Sequence, residues 1–97
     1  MITLRIEHAI SDYDTWKRAF DAFAGARRMA GVLRYAIRQP ASDAAFVSLD
    51  LEFGSAGQAE AFEAFLRANV WSSPQTSPAL AGMPRTQLFD LRSGGEA

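Results

Sequence analysis

The feature that most constrains this chain is the order in which its apolar residues change their repeat length. Over residues 2–7 they alternate with polar residues, which is the two-residue repeat of a half-buried strand. A stripe with helical spacing follows, then two alternating segments, a second helical stripe and a final alternating segment. The chain is therefore predicted to run strand, helix, strand, strand, helix, strand.

The first helix is predicted from its cap and from its apolar stripe. Ser11 stands three residues before Asp14, a capping-box spacing that starts a helix at Ser11. Gly31 supplies the left-handed residue that ends many helices. Between them, a helix of about five turns would bury a stripe of aromatic side chains. The stripe consists of Tyr13, Trp16, Phe20 and Phe23.

The second half of the chain gives the remaining elements. Ser55 and Gln58 form another capping box, which opens the second helix. Residues 71–84 contain three prolines and are predicted to form a loop. The other strands are predicted at residues 33–38, 46–53 and 86–91, with a hairpin loop at residues 39–44. We expect a single domain over residues 1–92 and a flexible tail over residues 93–97.

Two right-handed strand–helix–strand units in this order interleave into the α+β arrangement called ferredoxin-like. The predicted sheet is antiparallel, has the strand order 4-1-3-2 and carries both helices on one face. The apolar strand residues must meet the helices and define the helix-side face: Ile2, Leu4, Ile6, Leu33, Tyr35, Ile37, Val47, Leu49, Leu51 and Phe53. The open face is charged in both signs: Thr3, Arg5, Glu7, Arg34, Ala36, Arg38, Phe46, Ser48, Asp50 and Glu52.

The open face leaves the oligomeric state undecided. If Arg38 pairs with Phe46 across the hairpin, the same register places Arg34 opposite Asp50, where opposite charges stabilise the sheet. A monomer could leave this face in water, whereas a dimer could close it against a second copy. The residues exclude neither arrangement, and composition alone slightly favours the monomer.

Composition excludes several classes of function. The chain has no cysteine and one histidine, so we expect no disulfide, no thiolate site, no metal centre and no cofactor held by such groups. Its net charge of −1 gives no general attraction to nucleic acid or to an anionic membrane. The open face offers one aromatic, Phe46, beside several carboxylates, which argues against RNA binding. With no signal peptide and no long apolar run, the cytoplasm is the expected location.

The candidate catalytic residue is His8. It shares a strand face with Ile6 and therefore points towards the helices at the end of the first strand. There it would act as a general base or donate a hydrogen bond to a ligand, and the alternative is a half-exposed strand-end histidine. The candidate ligand-binding residues are Trp16, Phe20, Tyr35, Phe62, Asn69 and Trp71. Their alternatives are ordinary core packing for the aromatics and helix capping for Asn69.

A pair of arginines near the end of the first helix has two interpretations. Arg27 and Arg28 could clamp an anion, or they could form the solvated end of a helix, where cations are favoured. The second interpretation is the preferred one on sequence grounds.

Motifs along essentially the whole chain resemble the short bacterial members of the antibiotic-biosynthesis-monooxygenase superfamily, the dimeric α+β barrels. The motifs are the pattern DYDxWKxxFD at residues 12–21, the pattern RRxxG at residues 27–31, the strand end at Glu52 and Phe53, and residues 79–84. The resemblance implies a homodimer in which two sheets meet face to face through their open faces. It also implies a small apolar or aromatic ligand between the sheet and the helices of each subunit, and no cofactor.

The resemblance narrows the function without fixing it. Haem-degrading members use an asparagine near the end of the first strand, a tryptophan around the second helix and a histidine beyond it. Here His8 stands at the first place and Trp71 at the second, and no later histidine exists, which argues against haem degradation.

Two functions then remain open. The chain is either a cofactor-free oxygenase, cyclase or isomerase acting on a small aromatic or polyketide-like substrate, or a non-catalytic dimeric domain that binds a small ligand. An apolar cavity of at least about 300 Å³ with His8 or Tyr35 projecting into it would favour the enzyme. A filled core would favour the non-catalytic domain.

Overall fold

The structure, a computed structural model, describes all 97 residues. Its elements are β1 (Ile2–Ile10), α1 (Tyr13–Ala22), α2 (Ala24–Met29), β2 (Arg34–Arg38), β3 (Phe46–Phe53), α3 (Ala56–Asn69) and β4 (Leu80–Asp90). The strands form one antiparallel sheet in the order β2-β3-β1-β4, which is the predicted order read from the other edge. The predicted ferredoxin-like fold is confirmed. No helix combines the length and apolar character that a membrane crossing requires.

The start of α1 lies one residue later than predicted. The cap is Asp12, whose carboxylate accepts hydrogen bonds from the Thr15 backbone N–H at 2.9 Å and from the Thr15 hydroxyl at 2.7 Å. Ser11 still belongs to the strand side of the turn, because its N–H donates to the Ala79 carbonyl. The predicted Ser11 cap is therefore wrong. Ser55 is confirmed as the cap of α3, where its hydroxyl accepts from the Gln58 N–H.

The predicted five-turn helix is broken into α1 and α2 at Phe23. Phe23 leaves the helical region, with φ −94° and ψ 14°, and its N–H donates to the Phe20 carbonyl in a tighter turn. The corner keeps Phe20 and Phe23 packed against the core although the helix changes direction. The predicted stop at Gly31 is present: its φ is +91°, and an added Cβ would come within 2.7 Å of the Gln58 side chain.

The register between β2 and β3 differs from the predicted one by two residues. Arg34 lies opposite Glu52, and Ala36 lies opposite Asp50, so the predicted Arg34–Asp50 pair is wrong. The loop between the strands is closed by hydrogen bonds that sequence spacing does not reveal, including the Gln39 amide to two carbonyls. A shift of two residues preserves the alternation, and the two faces keep their predicted residues.

Strand β4 begins at Leu80, inside the segment predicted to be a loop. Gly82, with φ +84°, and Pro84 interrupt the alternating pattern that would have revealed it. Pro84 is tolerated because β4 is an edge strand, where a missing N–H costs no ladder bond. Pairing with β1 shifts register between Glu7 and Ala9, which leaves His8 without a partner on β4.

The core lies between the helix-side face and the helices. Its main cluster joins Leu4, Ile6, Leu49, Leu51 and Phe53 to Ala59, Phe62, Leu66 and Val70, and a smaller one comprises Ile10, Trp16, Val47 and Ala79. Leu33 and Tyr35 were predicted to lie in this face but are 58% and 49% exposed. They lie just before and within β2, at the edge of the sheet, where the helices give less cover. Residues 91–97 form neither helix nor strand.

Candidate functional site

A small, mostly apolar cavity lies between the sheet, the three helices and the segment that follows α3. Its volume is about 60 Å³. It is lined by Ile6, His8, Trp16, Ala19, Phe20, Phe23, Arg27, Leu49, Leu51, Phe62, Leu66, Val70, Trp71, Thr76, Ser77 and Pro78. Among these, His8 and Arg27 are the only side chains that carry or can take up a charge near neutral pH.

His8 reaches the cavity from the irregular point of β1, where the register shift on the β4 side frees its position. The side chain is 5% exposed, so the alternative of a half-exposed strand-end histidine is wrong. Its Nδ1 lies 2.9 Å from the Ala9 carbonyl oxygen. Because a carbonyl only accepts, Nδ1 carries the proton of the neutral ring and Nε2 keeps its lone pair.

The environment of His8 favours the neutral imidazole. Burial lowers its pKa below the ordinary value of 6.5, and the hydrogen bond to Ala9 opposes that shift. Nε2 has no hydrogen-bond partner in the protein and is not fully enclosed. At neutral pH the site therefore presents an unprotonated nitrogen that has no partner within the chain.

A row of aromatic rings runs along α1 from His8. The His8 and Trp16 rings meet edge to face with centroids 6.0 Å apart, and Trp16 stacks on Phe20 at 5.4 Å. Trp16 and Phe20 lie one helical turn apart, which brings their rings to the same side of the helix. Phe62 and Trp71 line the cavity from α3 and from the residues that follow it. The structure thus brings these four predicted aromatics together with His8.

Tyr35 and Asn69 do not line the cavity. The Tyr35 ring packs edge-on against Phe20 at 5.0 Å, but it does so from the solvent side. Asn69 is exposed, and its side-chain amide donates to the Phe65 carbonyl at 3.2 Å, as the capping alternative expects. Neither residue has the position that a cavity ligand would require.

Arg27 lines the cavity, although the sequence analysis preferred a solvated helix end to the anion clamp for this residue. It is 8% exposed, so the interpretation as a solvated helix end is wrong for Arg27, although Arg28 is exposed as expected. Its guanidinium carbon lies 3.6 Å from the centre of the Phe20 ring, and Nη1 donates to the Phe20 carbonyl. Burial holds the pKa of Arg27 below its usual value. The available signal was spacing, because Arg27 follows Phe20 by seven residues and continues the buried stripe.

A second, open groove borders the cavity on its outer side. It has a volume of about 390 Å³ and shares Ala19, Phe23, Thr76 and Pro78 with the cavity lining. The Thr76 hydroxyl lies 2.7 Å from the Val70 carbonyl oxygen and holds this part of the wall in place. The cavity alone is smaller than the roughly 300 Å³ of a typical ligand site, whereas the groove exceeds it.

Comparison with protein-family models and with curated proteins finds no match. Solved structures do match. A monooxygenase from the gene ActVA-Orf6 of Streptomyces coelicolor, in complex with nanaomycin D, has a TM-score of 0.64 at 15% identity over 99% of this chain and 91% of that one. SnoaB, a cofactor-independent oxygenase from Streptomyces nogalater, has a TM-score of 0.64 at 13% identity over 96% and 94%.

A third match concerns assembly. A dimeric ferredoxin-like protein from an uncultured marine organism has a TM-score of 0.60 at 13% identity, over 95% of this chain and 97% of that one. At these identities the similarity is one of fold, and it extends over nearly the whole chain. The chain therefore shares the ferredoxin-like fold of these three proteins.

Proposed function

We propose that this protein is a cofactor-independent oxygenase acting on a small aromatic substrate in the cavity between sheet and helices. The observation that carries the proposal is the His8 imidazole, buried in an aromatic cavity with its Nε2 lone pair unpartnered. A base of this kind suits a substrate whose proton leaves before it meets oxygen. The fold shared with SnoaB, described as a cofactor-independent oxygenase, supports the same assignment.

The chemistry needs only the substrate, dioxygen and a base. His8 Nε2 removes a proton from an acidic CH₂ group attached to the aromatic system. The electron pair left on carbon reduces dioxygen, a C–O bond forms, and the proton returned to the distal oxygen gives a hydroperoxide. Loss of water from that hydroperoxide leaves a carbonyl, so one oxygen atom enters the substrate and the other leaves as water. A cyclase or isomerase would use the same base without the oxygen steps.

The substrate would occupy the cavity together with the bordering groove. The wall between them consists of the shared residues, with Thr76 and Pro78 on the loop after α3. Displacing that loop would break the Thr76 hydrogen bond to Val70 and would join the two spaces. The joined space meets the size of a ligand site, and the rings of Trp16 and Phe20 would form one side of it.

The proposed assembly is a homodimer closed through the open faces. A matching protein of the same fold is described as dimeric, which supports it. On this face Asp50 accepts two hydrogen bonds from Arg5, at 2.8 and 2.9 Å, and a third from Arg38 at 3.2 Å. Phe89, which the register places on the same face, lies 5.0 Å from the Arg5 guanidinium. Covering a charge with a second copy costs less desolvation free energy when the charge is already paired within its own chain.

One observation favours the second candidate, a non-catalytic dimeric domain that binds a small ligand. The cavity itself measures about 60 Å³. That is less than the roughly 300 Å³ expected of a site that encloses a drug-sized molecule.

The experiment compares oxygen uptake and binding in one series of proteins. Anthrone, whose CH₂ group is acidic, serves as substrate, and a naphthol serves as the binding probe. In His8→Gln the side chain can still donate a hydrogen bond but is no base, so turnover should fall about 10²–10⁴-fold. Naphthol binding should stay within about threefold of the native value, because burial of the apolar probe is unchanged. Glu60→Gln, an exposed change on α3, is the control and should match the native protein in both assays.

Each outcome contradicts a different part of the proposal. Naphthol binding without any oxygen uptake would contradict the oxygenase and support the ligand-binding domain. Equal turnover in native protein and His8→Gln would remove His8 from the chemistry. Absence of binding in the native protein would contradict both candidates.

A further inference from the structure

Arg27 is a buried cation without an anionic partner. The ion pairs of the structure join Arg5 and Arg38 to Asp50, Lys17 to Asp21, Arg34 to Glu52, and Arg67 to Glu63. Arg27 belongs to none of them, although it is 8% exposed and lines the cavity. The carboxylate of Asp21, close by on α1, is bound by Lys17 at 2.7 Å. No carboxylate of the chain therefore forms an ion pair with its most buried arginine, and Asp21 attracts Arg27 only from beyond ion-pair distance.

The contacts that Arg27 does make leave most of its donors free. A guanidinium has five N–H groups in a planar fork, and only the Nη1 bond to the Phe20 carbonyl uses one. The Phe20 ring covers one face of the guanidinium, with the Tyr35 ring 5.5 Å away, and neither ring accepts at the edge of the fork. None of its nitrogens is both fully enclosed and unbonded, so the free donors remain accessible. A buried fork of this kind is suited to two parallel bonds from a carboxylate.

We propose that Arg27 binds the carboxylate of the cavity's ligand, so that the substrate class is an aromatic acid. This inference rests on the proposed function, because it assigns the ligand of the same cavity. Two independent observations support it: the position of Arg27 in the cavity lining and the absence of any carboxylate partner within the chain. Arg27 is then a specificity-determining residue, and His8 remains the base.

The two polar groups lie at different ends of one aromatic row. From His8 the contacts run to Trp16 at 6.0 Å, from Trp16 to Phe20 at 5.4 Å, and from Phe20 to Arg27 at 3.6 Å. A planar ligand lying along this row would place the group that gives up its proton near His8 and its carboxylate near Arg27. The apolar middle of the ligand would contact the Trp16 and Phe20 rings.

The experiment uses two probes of nearly the same shape at pH 8: para-hydroxyphenylacetate, which carries a carboxylate, and its amide, which is neutral and has one acceptor oxygen fewer. Charge-assisted hydrogen bonds predict that native protein binds the carboxylate about 10–100-fold more tightly than the amide. Arg27→Met keeps much of the packing volume and should reduce that preference to less than about threefold. Arg28→Met removes the neighbouring, exposed charge and should retain the native preference.

A measurement on native protein covers the case in which Arg27→Met does not fold. The Nε–Hε resonance of Arg27 should shift on titration with the carboxylate and stay in place with the amide. Equal affinity of the native protein for both probes would overturn the carboxylate assignment and leave the proposed aromatic site standing. A preference for the carboxylate that persists in folded Arg27→Met would mean that another group binds the anion. Failure of both probes to bind would overturn this inference and the aromatic site together.

Discussion

The two faces of the sheet handle their charges in opposite ways. On the open face Arg5 and Arg38 share Asp50, and Arg34 pairs with Glu52, so the polar groups of neighbouring strands satisfy one another. On the helix-side face the side chains of β1 and β3 are apolar except His8, which lies in the cavity together with Arg27 from α2. Both of these lack a charged partner.

The contrast separates charges that serve the fold from charges that point to a ligand. A paired surface charge is explained by its partner and needs no further role. A buried ionisable group without a partner lowers the free energy of unfolding, and such groups concentrate in functional sites. This criterion supports the proposed site on the cavity side of the sheet, and it leaves the open face for the proposed dimer contact.

The largest expected difference between the faces is in folding stability. Phe53 is fully buried on the helix-side face and packs on Phe62 with ring centroids 6.1 Å apart. Phe53→Ala should lower the free energy of unfolding by about 3–5 kcal/mol, through lost burial and the cavity left behind. Phe89→Ala on the open face, where Phe89 is 38% exposed, should cost about 1 kcal/mol or less in dilute protein. Urea unfolding followed by circular dichroism measures both.

Two results would contradict the expected difference between these variants. Equal losses would mean that the open face carries a second core within the monomer. A loss for Phe89→Ala that grows with protein concentration would instead indicate that a second copy covers Phe89, as the proposed dimer requires.

The fold could be predicted because several independent features of the sequence indicate the same topology. The alternation in β1 and β3, the Ser55 cap and the Gly31 stop each agree with the same topology. The features that were predicted wrongly are those in which a local interaction or residue overrides the sequence pattern. Asp12 displaced Ser11 as the cap because Ser11 is held by the Ala79 carbonyl, and Pro84 concealed the middle of β4.

The next largest effect concerns assembly through the open face. Asp50 accepts from Arg5 and Arg38, so Asp50→Lys would place three cations together on this surface. We expect the dissociation constant of the dimer to rise at least about tenfold, since like charges at an interface are strongly unfavourable. Sedimentation velocity over a dilution series measures it.

A matched change tests whether the position or the charge matters. Glu60→Lys makes the same charge reversal on the exposed side of α3, away from the open face, and should leave the dimer intact. Native protein that sediments as a monomer at micromolar concentration would contradict the dimer itself. Equal weakening by both variants would indicate a general charge effect.

The site was harder to predict than the fold because burial depends on three-dimensional packing. His8 could be found from parity, since it continues the face of Leu4 and Ile6. Tyr35 has the same parity on β2, yet it is exposed because β2 lies at the edge of the sheet. The sequence analysis preferred a solvent-exposed position for Arg27 because the residue is charged, although its spacing continues the buried stripe. In the structure α2 follows the break at Phe23 and places Arg27 over the Phe20 ring.

The smallest expected effect is the pH dependence that His8 gives to the cavity side. Burial lowers its folded-state pKa below the unfolded value of 6.5, so the unfolded chain binds the proton more readily. The contribution of His8 is therefore fully present above pH 6.5 and is lost as the pH falls towards the folded-state pKa, by at most about 0.8 kcal/mol at pH 6. Arg27, the other ionisable group of the lining, stays protonated throughout this range. Urea unfolding at pH 7.5 and pH 6 should show this loss in native protein and not in His8→Gln, whereas identical pH dependence would mean that the ring protonates as freely in the fold as in water.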